Sequence, residues 1–368
     1  MGAFAIIILC TWNCTVGARD YFENRALTTT ISGYSTQLLF HYLDVALVRQ
    51  WPFKGDKVHE KDQTLPQWGE RLIFGFSLTF TCRFIGTPDQ VKYIPPFSTR
   101  DPHFIPSRRQ FLQKAALTIV ACYIGIAFIQ SYIGAVHAKH YVSVHHVLVF
   151  RRLPEIMSEE VLTRVMVCVV TLININLTQR GLYNIIGFMA VFVGISEPRE
   201  WPPFYGSFFE AYTIRRVWGR FWHQSNTHKF QTLSTFVAHK VLRIPRGMLA
   251  ARYVKNVLAF VISGLMHVPI DLATGLSIYE SGAMSCFGAQ IIGLLVEDFI
   301  IGIYHKFVAA SGWRLPSLVE RMLGYIWTIS FFVWSTPAYV YPKIHHVKSS
   351  VIPISFQGPL LDALGKDN

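Results

Sequence analysis

Charge is what this sequence lacks most. Asp, Glu, Lys and Arg together supply 15% of its 368 residues, against about 25% in soluble domains, and this argues against a soluble fold. Ligand-spaced cysteines are missing as well. The six cysteines, at 10, 14, 82, 122, 168 and 286, fall mostly inside apolar stretches without CxxC or Cys/His spacing, so neither a disulfide framework nor a zinc site is indicated. There is no GxSxG elbow, P-loop, HExxH helix or pair of Asp-rich motifs for Mg²⁺ and a diphosphate, which weakens hydrolase, ATPase and prenyltransferase readings. No Gly/Ser-rich or charge-run linker divides the chain, so a single domain over 1–368 is expected.

What is present is apolar: 51% of residues are hydrophobic and the mean hydropathy is +0.32. The net charge of +12 would suit a nucleic acid, yet the basic residues sit in short clusters beside apolar runs. Arg108 and Arg109 precede one, Arg151 and Arg152 follow it, and Arg243, Arg246, Arg252 and Lys255 precede another. That is the bias of cytoplasmic loops in membrane proteins, and the partner it implies is a lipid bilayer, with no nucleic acid.

Windows long and apolar enough to span a bilayer fall at 111–136, 161–177, 182–195, 257–276, 285–303 and 322–341, with further candidates at 31–48 and 72–85. An all-α, polytopic bundle of about six to nine transmembrane helices is expected. Residues 1–16 are apolar without a basic lead, a poor signal peptide that can begin the first helix. The 343–368 tail, with Pro353 and Pro359, is expected to be peripheral.

Three constellations can carry chemistry. His267 follows Ser263 and Gly264 in an apolar helix. An ionisable group at membrane depth marks a functional site by default, and imidazole suits a general base near neutral pH; a histidine satisfied by a neighbouring helix is the plain alternative. On a helix, 215–226 would place Trp218 on one face and Arg216, Arg220 and His223 on the other. It would then lie at the membrane interface, either as a surface anchor or as a basic lip for the phosphates of coenzyme A. His137, His140, His145 and His146, with His345 and His346, raise a di-iron oxygenase, but no HxxHH occurs; a basic interfacial loop accounts for them. A proton-coupled transporter using His267 with Glu297 or Asp298 is a further class, although no internal repeat supports it.

Four stretches between about 80 and 275 resemble the membrane-bound O-acyltransferase family, in its wax-synthase-like branch, and within it the fungal acetyltransferases of terpenoid and meroterpenoid pathways. They are Arg83 to Lys92, Trp201 to Ser207 (WPPFYGS), Arg215 to Gln224, and Ile262 to His267 with Asp271. The sequence departs from the pattern at Phe84, where the family more often has Gly, and at Val217, where an aromatic is usual. The resemblance implies a helical bundle around a reaction chamber, with acetyl-CoA as co-substrate, no bound cofactor and no metal. A lipophilic alcohol, here a terpenoid, would be the acceptor. His267 would be the base, His223, Gln224 or Asn226 would assist it, and Arg216, Arg220 and Trp222 would contact the donor. A wax or sterol ester synthase is the nearest alternative. As an endomembrane protein without a cleavable signal, the chain is expected in the endoplasmic reticulum membrane.

Overall fold

The computed structural model describes residues 2–22, 25–51, 67–133 and 141–346. All regular elements among them are helical. In chain order the α-helices are α1 (Gly2–Tyr21), α2 (Arg25–Tyr42), α3 (Gln67–Phe80), α4 (Arg108–Ile133), α5 (Ser158–Phe192), the single turn α6 (Ile214–Arg216), α7 (Thr227–Phe236), α8 (Leu249–Ala273), α9 (Ala283–Ser311), α10 (Ser317–Ser335) and α11 (Pro337–His346). His137 and His140 lie outside the described residues, as does 347–368 of the expected tail.

Among the described residues four helices are long and apolar enough to cross a membrane: Arg108–Ser131, Ser158–Phe192, Leu249–Ala273 and Ala283–Ser311. Leu117, Ile124 and Phe128 of α4 and Ile292, Phe299 and Ile303 of α9 are exposed, as expected where lipid rather than water is the solvent. The windows 161–177 and 182–195, expected as two spans, form one 35-residue helix, roughly 52 Å long at 1.5 Å per residue. Nothing between them breaks a helix, and Gly181 lets the Cys122 side chain of α4 pack against it. The last window is divided instead. Pro337, which lacks an amide proton, starts α11 just after α10 ends.

Two helix groups hold the site. In one, α4 packs along α5, and Arg108 donates to the Phe192 carbonyl over 2.8 Å, a cation on a helix C-terminus. In the other, α8 contacts α1, α2, α7 and α9. Gly264 makes the last contact possible, since a Cβ there would meet the Met284 sulfur of α9 at 2.7 Å. The small-residue step before His267 therefore leaves room for the Met284 side chain between the two helices. Arg152 is not the free loop cation expected from sequence. It is buried and donates to Glu160 over 2.6 Å.

Candidate active site

The segment 214–226 is not one interfacial helix. The backbone runs α6, a π-turn over Val217–Phe221 and an extended Trp222 (φ −66, ψ 152) before α7 begins. Far from lying on a surface, Ile214 is fully buried against Leu294 and Phe331. The cause is on α9. The Glu297 carboxylate accepts the amides of Ile214 (2.6 Å) and Arg215 (3.1 Å), so it caps the turn as a side chain at a helix N-terminus does. Asp298 accepts from the Arg215 guanidinium over 2.7 Å and from the Tyr253 hydroxyl over 3.2 Å. Both acids that a transporter relay would need are thus engaged in anchoring this segment to α9.

The break at Phe221 turns 222–226 inward, where Trp222, His223, Ser225 and Asn226 line a cavity of about 1990 Å³ bounded by α2, α5 and α8 to α11. His267 reaches the same cavity from α8. Its Nδ1 is 2.7 Å from the Ser263 carbonyl, an acceptor only, so Nδ1 carries the proton and Nε2 keeps its lone pair. Phe287 flanks the ring at 4.5 Å and Tyr339 meets it edge-on at 5.8 Å. One turn further along α8, Asp271 is fully buried, paired with Lys343 of α11 at 2.7 Å and accepting from Ser281 over 2.7 Å.

The other resemblance-bearing stretches brace the segment opposite His267. Arg83 donates to the carbonyls of Pro202 (2.7 Å) and Pro203 (2.8 Å) and to the Tyr183 hydroxyl, fixing the WPPFYGS loop. Phe204 of that loop stacks on His223 with ring centres 5.3 Å apart. Gly206 bonds the Phe221 carbonyl through its amide (2.9 Å), and a Cβ there would collide with the Arg220 backbone, so only glycine allows that approach. Phe84 has φ 53, a left-handed backbone that glycine adopts freely and that strains most other residues by about 1–2 kcal/mol. Stacking on Trp51 (4.8 Å) and His228 (4.0 Å) offsets that strain and accounts for an aromatic where glycine is more usual.

The remaining residues expected at the site separate into two groups. His223, Asn226 and Trp222 line the chamber. Asn226 accepts from Lys229 through Oδ1 (3.2 Å); ammonium only donates, so the amide orientation is fixed and Nδ2 remains available as a donor. Gln224 does not line the chamber. It donates to the carbonyls of Lys92, Tyr93 and Gly219 at 2.9, 3.0 and 3.2 Å, pinning the 83–107 loop. Arg216 and Arg220 also lie off the chamber lining, both on Glu210, the latter at 3.0 Å. Their guanidinium groups cover Tyr212 (4.3 Å) and Tyr93 (4.5 Å) respectively. Sequence reasoning gave no role to Lys229, which donates to the Ser225 carbonyl (2.7 Å) and to Asn226 Oδ1 (3.2 Å); Arg83 stood in a resembling stretch, but its bracing of Pro202 and Pro203, about 120 residues away, is visible only in the fold.

Burial pushes His223 down to about 3, and the charge His267 would carry once protonated, with those of Lys229 and Arg83, acts in the same direction. Between that value and the ordinary 6.5 the unfolded chain binds the proton and the folded chain does not. Stability from this group is therefore complete above about pH 6.5 and lost progressively as pH falls towards 3. Thermal unfolding in detergent at pH 7.5 and pH 5.0 is expected to show a larger acid loss for the wild type than for His223→Phe. Equal losses would show that His223 is not held neutral.

The fold and site define a helical membrane protein with a histidine-bearing chamber. Residues 201–289, from the WPPFYGS loop through His267 into α9, match the membrane bound O-acyl transferase family. The chain is 40% identical over 164 residues to acetyltransferase ataH of Aspergillus terreus, covering 45% of this chain and 53% of that protein. It is 26% identical over 365 residues to acetyltransferase aurG of Calcarisporium arbuscula (93% and 86%), and 27% over 378 residues to acetyltransferase fsoF of Humicola fuscoatra (92% and 86%). It spans about half the length of the first of these and most of the other two. No solved structure matches. Over 201–289 the chain is thus similar to membrane bound O-acyl transferases, and over longer stretches it is similar to fungal acetyltransferases.

Proposed function

We propose that the chain transfers acetyl from acetyl-CoA to a hydroxyl of a terpenoid or meroterpenoid, with His267 as general base, in the endoplasmic reticulum membrane. The observation that carries this reading is the His267 tautomer: Nδ1 is committed to the Ser263 carbonyl, so Nε2 presents its lone pair to the chamber. There it can take the proton of a bound alcohol as the alcohol oxygen attacks the thioester carbonyl. The tetrahedral oxyanion gains a donor from Asn226 Nδ2, and His223 lies on the same wall. Collapse breaks the C–S bond, and the departing thiolate of coenzyme A takes the proton from Nε2. Ester and free coenzyme A result, with no covalent acyl-enzyme.

The chamber supports a large acceptor. Its volume of about 1990 Å³ exceeds the ~300–1,000 Å³ of a drug-sized site, leaving room for an acyl-pantetheine arm and a polycyclic alcohol together. Trp222 supplies part of the apolar wall. Arg216 and Arg220, half-exposed on Glu210, form a rim for the donor diphosphate. Membranes containing this chain, given radiolabelled acetyl-CoA and a panel of hydroxylated terpenoids, sterols and fatty alcohols, are expected to label a terpenoid. Transfer confined to long-chain acyl-CoA would replace this reading with a wax or sterol ester synthase. No transfer to any acceptor would refute acyl transfer.

A further inference from the structure

A second cavity, of about 490 Å³, opens between the end of the π-turn after α2, the 83–107 loop, α7 and the segment that follows it. Arg49, Lys92, Lys240 and Arg246 line it against one carboxylate, Asp89. Asp89 is already paired with Arg49. Lys92, Lys240 and Arg246 have no ion pair among the described residues. These three cations are exposed, so the concavity presents positive charge that its single carboxylate does not balance.

A buried acceptor stands beside these cations. His228 lines this cavity and is 4% exposed. Its Nδ1 lies 2.5 Å from the Asp44 carboxylate, so the proton on that nitrogen is committed, and Nε2 has no partner. An orphaned acceptor of this kind is costly, and what satisfies it is a donor such as a nucleoside hydroxyl or amino group, not a phosphate oxygen.

Helix α7 is the wall between the two cavities. Thr227 and Phe230 line the chamber, His228 and Thr235 line the smaller cavity, and Gln231 borders both. A ligand that spans the wall needs an uncharged arm in the chamber and an anionic end outside it. Gln224 joins the two regions physically, because its amide holds the Lys92 and Tyr93 carbonyls. Lys92 belongs to the smaller cavity, and Tyr93 carries Arg220 on its ring. The basic rim thus continues from Arg220 to Lys92 and into the cavity.

We propose that this cavity binds the phosphorylated nucleoside end of the acyl donor, with Lys92, Lys240 and Arg246 on its phosphate esters. The assignment rests on the acyl-CoA reading of the chamber and adds to it a recognition site remote from the reacting atoms. Gln224 is then a positioning residue, holding Lys92 in place.

The test is direct binding of adenosine 3′,5′-bisphosphate to the full chain purified in phosphatidylcholine nanodiscs. Lys240→Ala and Arg246→Ala are each expected to weaken binding by about tenfold or more, as loss of a charge-assisted contact does. Arg243→Asn removes a positive charge from the same segment outside the cavity, and asparagine tolerates the left-handed backbone there (φ 55); its affinity should stay within about twofold of the wild type. No binding by the wild type, or equal loss in all three variants, would overturn the proposal. So would Lys240→Ala and Arg246→Ala proteins that bind the bisphosphate normally but no longer retain phosphatidylglycerol, because the cavity would then hold a lipid headgroup. Binding is read without turnover. A wild type that binds the probe but transfers no acetyl would instead count against the acyltransferase reading.

Discussion

His267→Ala is expected to lower kcat by about 10²–10⁴-fold, the usual contribution of a positioned general base, while the protein stays folded and inserted. The geometry separates these two effects. The imidazole projects into an existing chamber, so truncation enlarges a cavity instead of opening a void in packed core. The Ser263 carbonyl it contacts belongs to the interior of α8 and keeps its place in the helix ladder. Unfolding temperature in detergent should therefore change little, and adenosine 3′,5′-bisphosphate should bind as before. Turnover within about threefold of the wild type would remove His267 from the chemistry, since even modest base catalysis exceeds that factor.

Glu160→Gln is expected to destabilise the fold by about 3–5 kcal/mol, the loss typical of a broken buried ion pair. Glu160 is 1% exposed and stands between two guanidinium groups, Arg152 at 2.6 Å and Arg164 at 3.2 Å. Arg164 is itself buried, with its guanidinium 5.8 Å from the centre of the Tyr341 ring. The trio therefore fastens the 144–155 segment and α11 onto the start of α5. Glutamine keeps the shape and removes the charge, leaving two buried cations with no counter-charge. Thermal unfolding of the purified protein should show the loss. Replacing all three residues by methionine should recover much of it, because apolar residues of similar volume do not need the compensation that buried charges do. A loss below about 1 kcal/mol for Glu160→Gln alone, in the range of an exposed pair, would mean that water reaches the trio.

Hydropathy located the long helices because crossing a bilayer requires a local excess of apolar side chains, and local composition is visible in sequence. It could not tell that 161–177 and 182–195 belong to one helix, since Thr178 to Gly181 is polar without being helix-breaking. The same local reasoning found His267 as an ionisable group in an apolar run. It misjudged 215–226 because helical periodicity assumes a continuing helix, whereas the Glu297 carboxylate, far along the chain, starts α6 and the π-turn ends it at Phe221.

The sequence by itself determined that the chain is a helical membrane protein, where its polar stretches lie, and that His267 is an ionisable group inside an apolar run. Each of these depends on side-chain character counted over one or two dozen neighbouring residues. Only the tertiary structure decided that His223 and Asn226 share a chamber with His267 while Gln224 turns away to hold Lys92, and that Lys92, Lys240 and Arg246 line a second cavity behind α7. Those arrangements follow from which segments pack together, and packing depends on shape and partner geometry across the whole chain, which no local pattern records.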